Sequence, residues 1–203
     1  MLDSLTVKIA AATRFFVRGF KFQPKPDQRT LVSGKRYILQ TVIMKVSVGQ
    51  PAPDFALFNT QKEKVSLSDL RGRNVVLLFF PFAFSSVCTA ELCNVRDNMN
   101  RYSGLNAEVL GISVDSLYTL KKFREDQNLN FTLLSDFNKD VSTAYGALYE
   151  TFSYEMKGVS KRAAFIIDSK GIIRYAEVLE NAGEQPDFAE LQQALRTLSS
   201  ATV

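Results

Sequence analysis

The stretch that most constrains this chain runs from Asn74 to Arg96, NVVLLFFPFAFSSVCTAELCNVR. Val75 to Phe80 is an unbroken apolar run that stops at Pro81. A run with no polar alternation needs cover on both faces, as a strand in a buried parallel sheet does. The loop Phe82 to Ser86 follows, then Cys88, and then a helical pattern over Thr89 to Met99 that holds the second cysteine, Cys93. One strand delivers one loop, and the loop delivers one thiol to the start of a helix.

The flanking sequence extends this unit. Val48 to Phe55 (VGQPAPDF) is held extended by its prolines. Ser66 to Leu70 reads as a short helical turn with Ser66 or Ser68 as its cap, and Arg71 to Asn74 as a turn. Glu108 to Val114 is a second buried strand. Ser116 to Gln127 fits a helix with Leu117, Leu120 and Phe123 on one face. Phe131 to Leu134 is a short strand, and Asn138 to Tyr145 a short helix ended by Gly146. Ala163 to Ile167 and Ile172 to Val178 are strands joined through Asp168 to Gly171, a hairpin turn. Pro186 to Leu198 closes the chain as a helix with Phe188, Leu191, Ala194, Leu195 and Leu198 on one face. Strands alternating with helices, then a hairpin and a final helix, predict an α/β sandwich with a mixed central sheet.

Residues 1–44 differ in composition. Eight Lys/Arg against two Asp/Glu give them a charge of +6, while residues 45–203 carry −2. Leu5, Ile9, Ala12, Phe16 and Phe20 fall on one helical face with Arg14, Arg18 and Lys21 opposite. Two prolines between Gln23 and Asp27 end any helix there. The organisation expected is a basic, loosely ordered extension over 1–43 and one domain over 44–203. A targeting segment and a docked element remain as other readings of the extension. The expected location is cytoplasmic, with organelle targeting through the basic N-terminus as the alternative. The charge of the main domain gives no reason to expect a nucleic-acid partner.

Composition narrows the chemistry. Histidine is absent from all 203 residues. That excludes a Ser-His-Asp triad, a Cys-His pair and His-ligated zinc or haem. Two cysteines cannot build a four-cysteine metal site. Neither a metal nor a cofactor is expected. A nucleophilic thiol here must be activated by something other than imidazole. Cys88 falls in the first turn of its helix, where unpaired N–H groups favour an anion. Ser85 stands three residues earlier and can orient an oxygen-bearing substrate or cap the helix. Pro81 ends the strand and stiffens the loop, shielding the thiol from water. Arg162, just ahead of the strand AAFIID, is the candidate cation. Each has a plainer reading: Cys88 as core packing, Ser85 as a cap only, Arg162 as a surface charge.

Pro81-x-x-x-Ser85-x-x-Cys88 resembles the active-site motif of the peroxiredoxins, thiol peroxidases of the thioredoxin-like fold. VGQPAPDFAL, SLSDLRGRNVVLLFFP and KRAAFIID match that family in the same order, from about Lys45 to Leu198. The family often has threonine where this chain has Ser85, and serine keeps the hydroxyl. The resemblance implies that Cys88 attacks a peroxide and becomes a sulfenic acid. It also implies that Pro81 shields the thiol and Ser85 hydrogen-bonds the peroxide. Arg162, with the Val87 and Cys88 N–H groups, would stabilise thiolate and leaving oxygen. Cys93 stands where the Q-type (bacterioferritin-comigratory) and E-type alkyl hydroperoxide reductases carry a second cysteine, which implies a resolving role. Its other reading is packing beside Leu92, Val95 and Met99. The implied partners are a peroxide, a thioredoxin-like or other thiol reductant, and a second copy in a homodimer. A redox sensor or holdase that signals to a partner, and an inert binding module, are the competing functions. Helix geometry adds one condition. Five residues rise ~7.5 Å, and a disulfide needs Cα atoms ~4.4–6.8 Å apart. Cys88 and Cys93 can therefore join only if the helix start unwinds.

Overall fold

The computed structural model describes residues 46–200 together with two short strands, β1 (Leu31–Val32) and β2 (Lys35–Arg36). The chain divides into two units, Met1–Thr41 and Val42–Val203. In the first, β1 pairs antiparallel with β2. The amphipathic helix and targeting segment expected before Asp27 lie outside the described residues.

The second unit is built on a seven-stranded mixed sheet. Its strands are β3 (Ala56–Asn59), β4 (Lys64–Ser66), β5 (Asn74–Phe79), β6 (Ala107–Ser113), β7 (Thr132–Ser135), β8 (Arg162–Ile167) and β9 (Ile173–Leu179). They lie in the order β4-β3-β7-β6-β5-β8-β9. β5, β6 and β7 are parallel to one another, and every other pairing is antiparallel. The helices are α1 (Ser86–Asp97), α2 (Met99–Ser103), α3 (Leu117–Asp126), α4 (Asp140–Ala144) and α5 (Phe188–Ser200). This is the α/β sandwich that the alternation of elements predicts.

β5 shows why its sequence has no polar alternation. Val76, Leu78 and Phe80 point into one core with Leu92 and Val95 of α1, Leu120 and Phe123 of α3, and Leu191 and Leu195 of α5. Val75, Leu77 and Phe79 point into the other with Phe55, Leu67, Val141, Tyr145 and Phe165. The aromatic rings of Phe79, Tyr145 and Phe165 meet edge-on or tilted at 5.2–5.8 Å, within the range favoured by aromatic pairs. Both faces of the strand are thus buried, and each core is closed by helices or loops.

Several elements depart from expectation. The hairpin β3–β4 forms just past the extended lead-in, in a stretch after Phe55 where the sequence suggests no regular element. Its turn places Lys62 at φ 69°, and the Asn59 side chain accepts the N–H groups of Gln61 and Glu63, which substitutes for a glycine or proline signal. The turn Ser68–Leu70 is a 3-10 helix capped by neither Ser66 nor Ser68; its N-cap is Leu67, and Asp54 takes the Ser68 N–H instead. α1 starts at Ser86 rather than Thr89, and α2 follows as a separate turn beyond Asn98. Ser116 caps α3 through the Thr119 N–H as a cap should. Gly171 closes the β8–β9 hairpin at φ 83°, a conformation that favours glycine.

Candidate active site

The site lies where β5 ends. β8 runs antiparallel to β5, with Ala163 opposite Phe79. Arg162, the first residue of β8, therefore stands beside the point at which β5 gives way to Pro81. α1 begins five residues further on, so the sheet register sets Arg162 beside the helix start. Its Nη2 donates to Cys88 Sγ at 3.4 Å and to the Ala182 carbonyl at 2.9 Å. Arg162 and Cys88 are each only 1% exposed, so their contact is not screened by water as a surface pair is.

Cys88 is the third residue of α1. The first intrahelical bond runs from Thr89 N to Ser85 O at 2.9 Å. The N–H groups of Ser86, Val87 and Cys88 therefore have no acceptor within the helix. Ser85 occupies the N-cap position, but its side chain makes no capping bond. Its hydroxyl donates to the Phe82 carbonyl at 3.0 Å, which folds the loop back and leaves the helix-end donors unclaimed by it. A cavity of about 510 Å³ opens over this end, lined by Pro81, Ser85, Val87, Cys88 and Arg162. Its outer wall is aromatic: Phe152 packs against Phe82 at 6.0 Å and against Tyr149 at 5.1 Å. Thus Pro81, Ser85, Cys88 and Arg162 are brought together around one cavity.

Cys93 is not part of that cavity. Both thiols are free and α1 is continuous across them. Cys93 is half-buried on another side of the helix, and its Sγ donates to Gln127 Oε1 at 3.7 Å.

Sequence reasoning misses Glu91. This carboxylate is 0% exposed, and Arg162 Nη1 donates to its Oε2. Among the described residues, the other oxygen, Oε1, and Arg162 Nε have no hydrogen-bond partner. Burial pushes the Glu91 carboxyl up to about 7 from 4.5, against the opposing pull of Arg162. The signal was present in the spacing. Cys88, Glu91, Leu92 and Val95 follow the i, i+3, i+4, i+7 pattern of one buried face, and a glutamate in that pattern is seldom buried without a partner.

Glu91 gives the fold a pH dependence with a definite sign. Between about 4.5 and 7 the folded chain holds a proton there that the unfolded chain has released. Stability from this group is complete below that window and falls as pH rises through it, by roughly 3 kcal/mol. Thermal melts across the window should show this decline, and Glu91→Gln should flatten it.

Comparisons with known proteins identify the family. Residues 48–176 match the AhpC/TSA family. Alkyl hydroperoxide reductase E of Mycobacterium tuberculosis is 37% identical over 158 residues, covering 76% of this chain and 99% of that protein. The crystal structure of peroxidoxin BcpB from Mycobacterium tuberculosis superposes with a TM-score of 0.65 at 29% identity, over 76% of this chain and 97% of the other. A reduced 2-Cys peroxiredoxin of Plasmodium vivax gives 0.68 at 28% identity, over 76% and 83%. The fold and these relatives define a thiol-dependent peroxidase of the peroxiredoxin class. The chain belongs to the AhpC/TSA family.

Proposed function

We propose that Cys88 is the residue that reduces the peroxide, and that the observation carrying this is its buried sulfur held 3.4 Å from Arg162 at an uncapped helix start. The Cys88 thiolate attacks one peroxide oxygen. The S–O bond forms as the O–O bond breaks, and the leaving oxygen departs as alkoxide or hydroxide and takes a proton from solvent. Sulfur is oxidised by two electrons to a sulfenic acid and the peroxide is reduced to alcohol or water. Negative charge moves from sulfur to oxygen in this step. The Arg162 guanidinium and the free N–H groups of Val87 and Cys88 lie where they steady it at both ends. Pro81 has no N–H and keeps the approach dry on its side, and Ser85, which lines the cavity and whose proton goes to the Phe82 carbonyl, can accept a hydrogen bond from the peroxide to orient it.

Cys93 then resolves the sulfenic acid. Its sulfur attacks Cys88 Sγ, the S–O bond breaks, and the hydroxide leaves with the Cys93 proton as water. A thiol reductant returns two electrons and two protons to regenerate both thiols. The intact helix keeps the sulfurs apart, so this step follows unwinding of the first turns of α1.

The cavity is far larger than hydrogen peroxide requires, since a water occupies about 30 Å³, and its aromatic wall suits an organic tail. Steady-state assays with a thiol regenerating system should show consumption of both hydrogen peroxide and cumene hydroperoxide. Failure to consume either would overturn the reading. Phe152→Ala should lower the ratio of kcat/KM for cumene hydroperoxide to that for hydrogen peroxide by about tenfold, the worth of one aromatic contact.

A further inference from the structure

We propose that Asp115 is a positioning residue that holds the Cys88 loop in its reactive form, against backbone strain stored at Phe84; this rests on the reading of Cys88 above. β5 makes its last ladder bond at Phe80, whose N–H donates to Ile112 O at 3.0 Å. Pro81 has no N–H to continue it. The main chain then leaves the sheet, and its next tether is the Ala83 N–H, which donates to Asp115 Oδ2 at 2.7 Å.

Asp115 is itself fixed. Its Oδ2 also accepts the hydroxyl of the fully buried Ser113 at 2.8 Å, and its own N–H donates back to Ser113 Oγ at 3.1 Å. The Ser113 hydroxyl has a second acceptor within reach, the Pro81 carbonyl at 3.4 Å, but its one proton goes to the nearer carboxylate. Ser135 Oγ donates to Asp115 O at 2.6 Å, which ties the group to the end of β7. Among the described residues, with the Ser113 proton on the carboxylate, hydrogen bonds join the loop between Pro81 and Ser85 to the rest of the sheet only at Asp115.

The loop needs such a tether. Phe84 sits at φ 65°, a left-handed conformation that is unfavourable for a bulky residue and persists only where its surroundings enforce it. Its ring is 50% exposed and meets Phe123 edge-on at 5.0 Å, so packing holds it from one side only. Asp115 fixes the backbone one residue before the strain, and the first turn of α1 fixes it two residues after. Opening that turn, as formation of a Cys88–Cys93 bond requires, releases the strain. The Asp115 contact therefore favours the closed form, which attacks peroxide, over the open form, in which the two cysteines meet.

A purely structural contact would slow every step or none. A positioning contact moves the two chemical steps in opposite directions. In stopped-flow experiments on the full chain, Asp115→Ala should slow sulfenic acid formation by about tenfold, the effect of losing one charge-assisted hydrogen bond. The same variant should form the internal disulfide severalfold faster and show faster amide exchange at residues 84–92 than elsewhere. Asp115→Asn keeps an oxygen acceptor for both donors and should recover most of the first rate. Changes of the same sign in both steps, or exchange in Asp115→Ala that rises evenly over the domain, would overturn the proposal. Wild-type protein is the control for the reading beneath it. If wild type forms no sulfenic acid at Cys88, that reading fails. If it forms sulfenic acid but no disulfide, the sulfenic acid rate and the local exchange still decide the role of Asp115.

Discussion

Replacing Cys88 with serine should abolish peroxide reduction while leaving the fold in place. The exchange of sulfur for oxygen is nearly isosteric, and at 1% exposure the side chain has its packing partners in Leu92, Val95 and the β5 core. What disappears is the proposed nucleophile. The chain has no histidine to activate a serine, so the hydroxyl at this position has no base to take its proton. Cys93 cannot substitute, because it lies away from the cavity with its thiol turned to Gln127. A melt matching wild type, with peroxide consumption reduced to background, is the expected pair of results. Residual catalysis in a folded Cys88→Ser protein would place the reacting group elsewhere.

Arg162→Met should have the second largest effect, and it should appear in both rate and stability. The guanidinium serves three acceptors at once: Cys88 Sγ, Glu91 Oε2 and the Ala182 carbonyl. Methionine fills much of the volume but donates to none of them. Loss of a charge-assisted contact in the transition state costs roughly 1.5–3 kcal/mol, about ten- to a hundred-fold in rate. The structural cost comes from Glu91, left buried without its counter-charge. Removing one partner of a buried pair commonly costs about 3–5 kcal/mol. Part of this is recovered when Glu91 takes up a proton, so the loss should be smaller at low pH than above neutrality. The double variant Arg162→Met/Glu91→Gln separates the two effects. Its melting temperature should return toward wild type while its rate stays low. A rate that recovers together with stability would mean that Arg162 acts only as a structural counter-ion.

How far these features are legible in the sequence depends on the interaction that creates each one. β5 is legible because burial on both faces leaves an unmistakable apolar run. α3 and α5 are legible because each buries one stripe, and the β8–β9 hairpin because Gly171 marks its turn. The β3–β4 hairpin is not, because Phe58 is 49% exposed and the strands show no clean alternation. Its turn is made by Asn59 and Lys62 rather than by glycine or proline. In the site, Pro81, Ser85 and Cys88 are local in sequence and can be read as a unit. Arg162 comes from 74 residues away, and only the antiparallel register of β5 and β8 explains why it arrives beside the thiol. The plainer reading of Ser85 as a side-chain cap gives way to a bond to the Phe82 carbonyl, because the loop turns back on itself before the helix begins. Glu91 and Asp115 escape a reading by motif for the same reason. One is a charged residue in an apolar helix face and the other a polar residue past a strand end, and their partners are set by tertiary packing.

The roles of Cys88 and Cys93 are tested most directly by mass spectrometry of the wild-type, Cys88→Ser and Cys93→Ser proteins after treatment with one equivalent of peroxide. The expected products are a Cys88–Cys93 disulfide in the wild type, sulfenic acid confined to Cys88 in the Cys93→Ser protein, and neither in the Cys88→Ser protein. Sulfenic acid formed first at Cys93, with Cys88 unmodified, would contradict those roles.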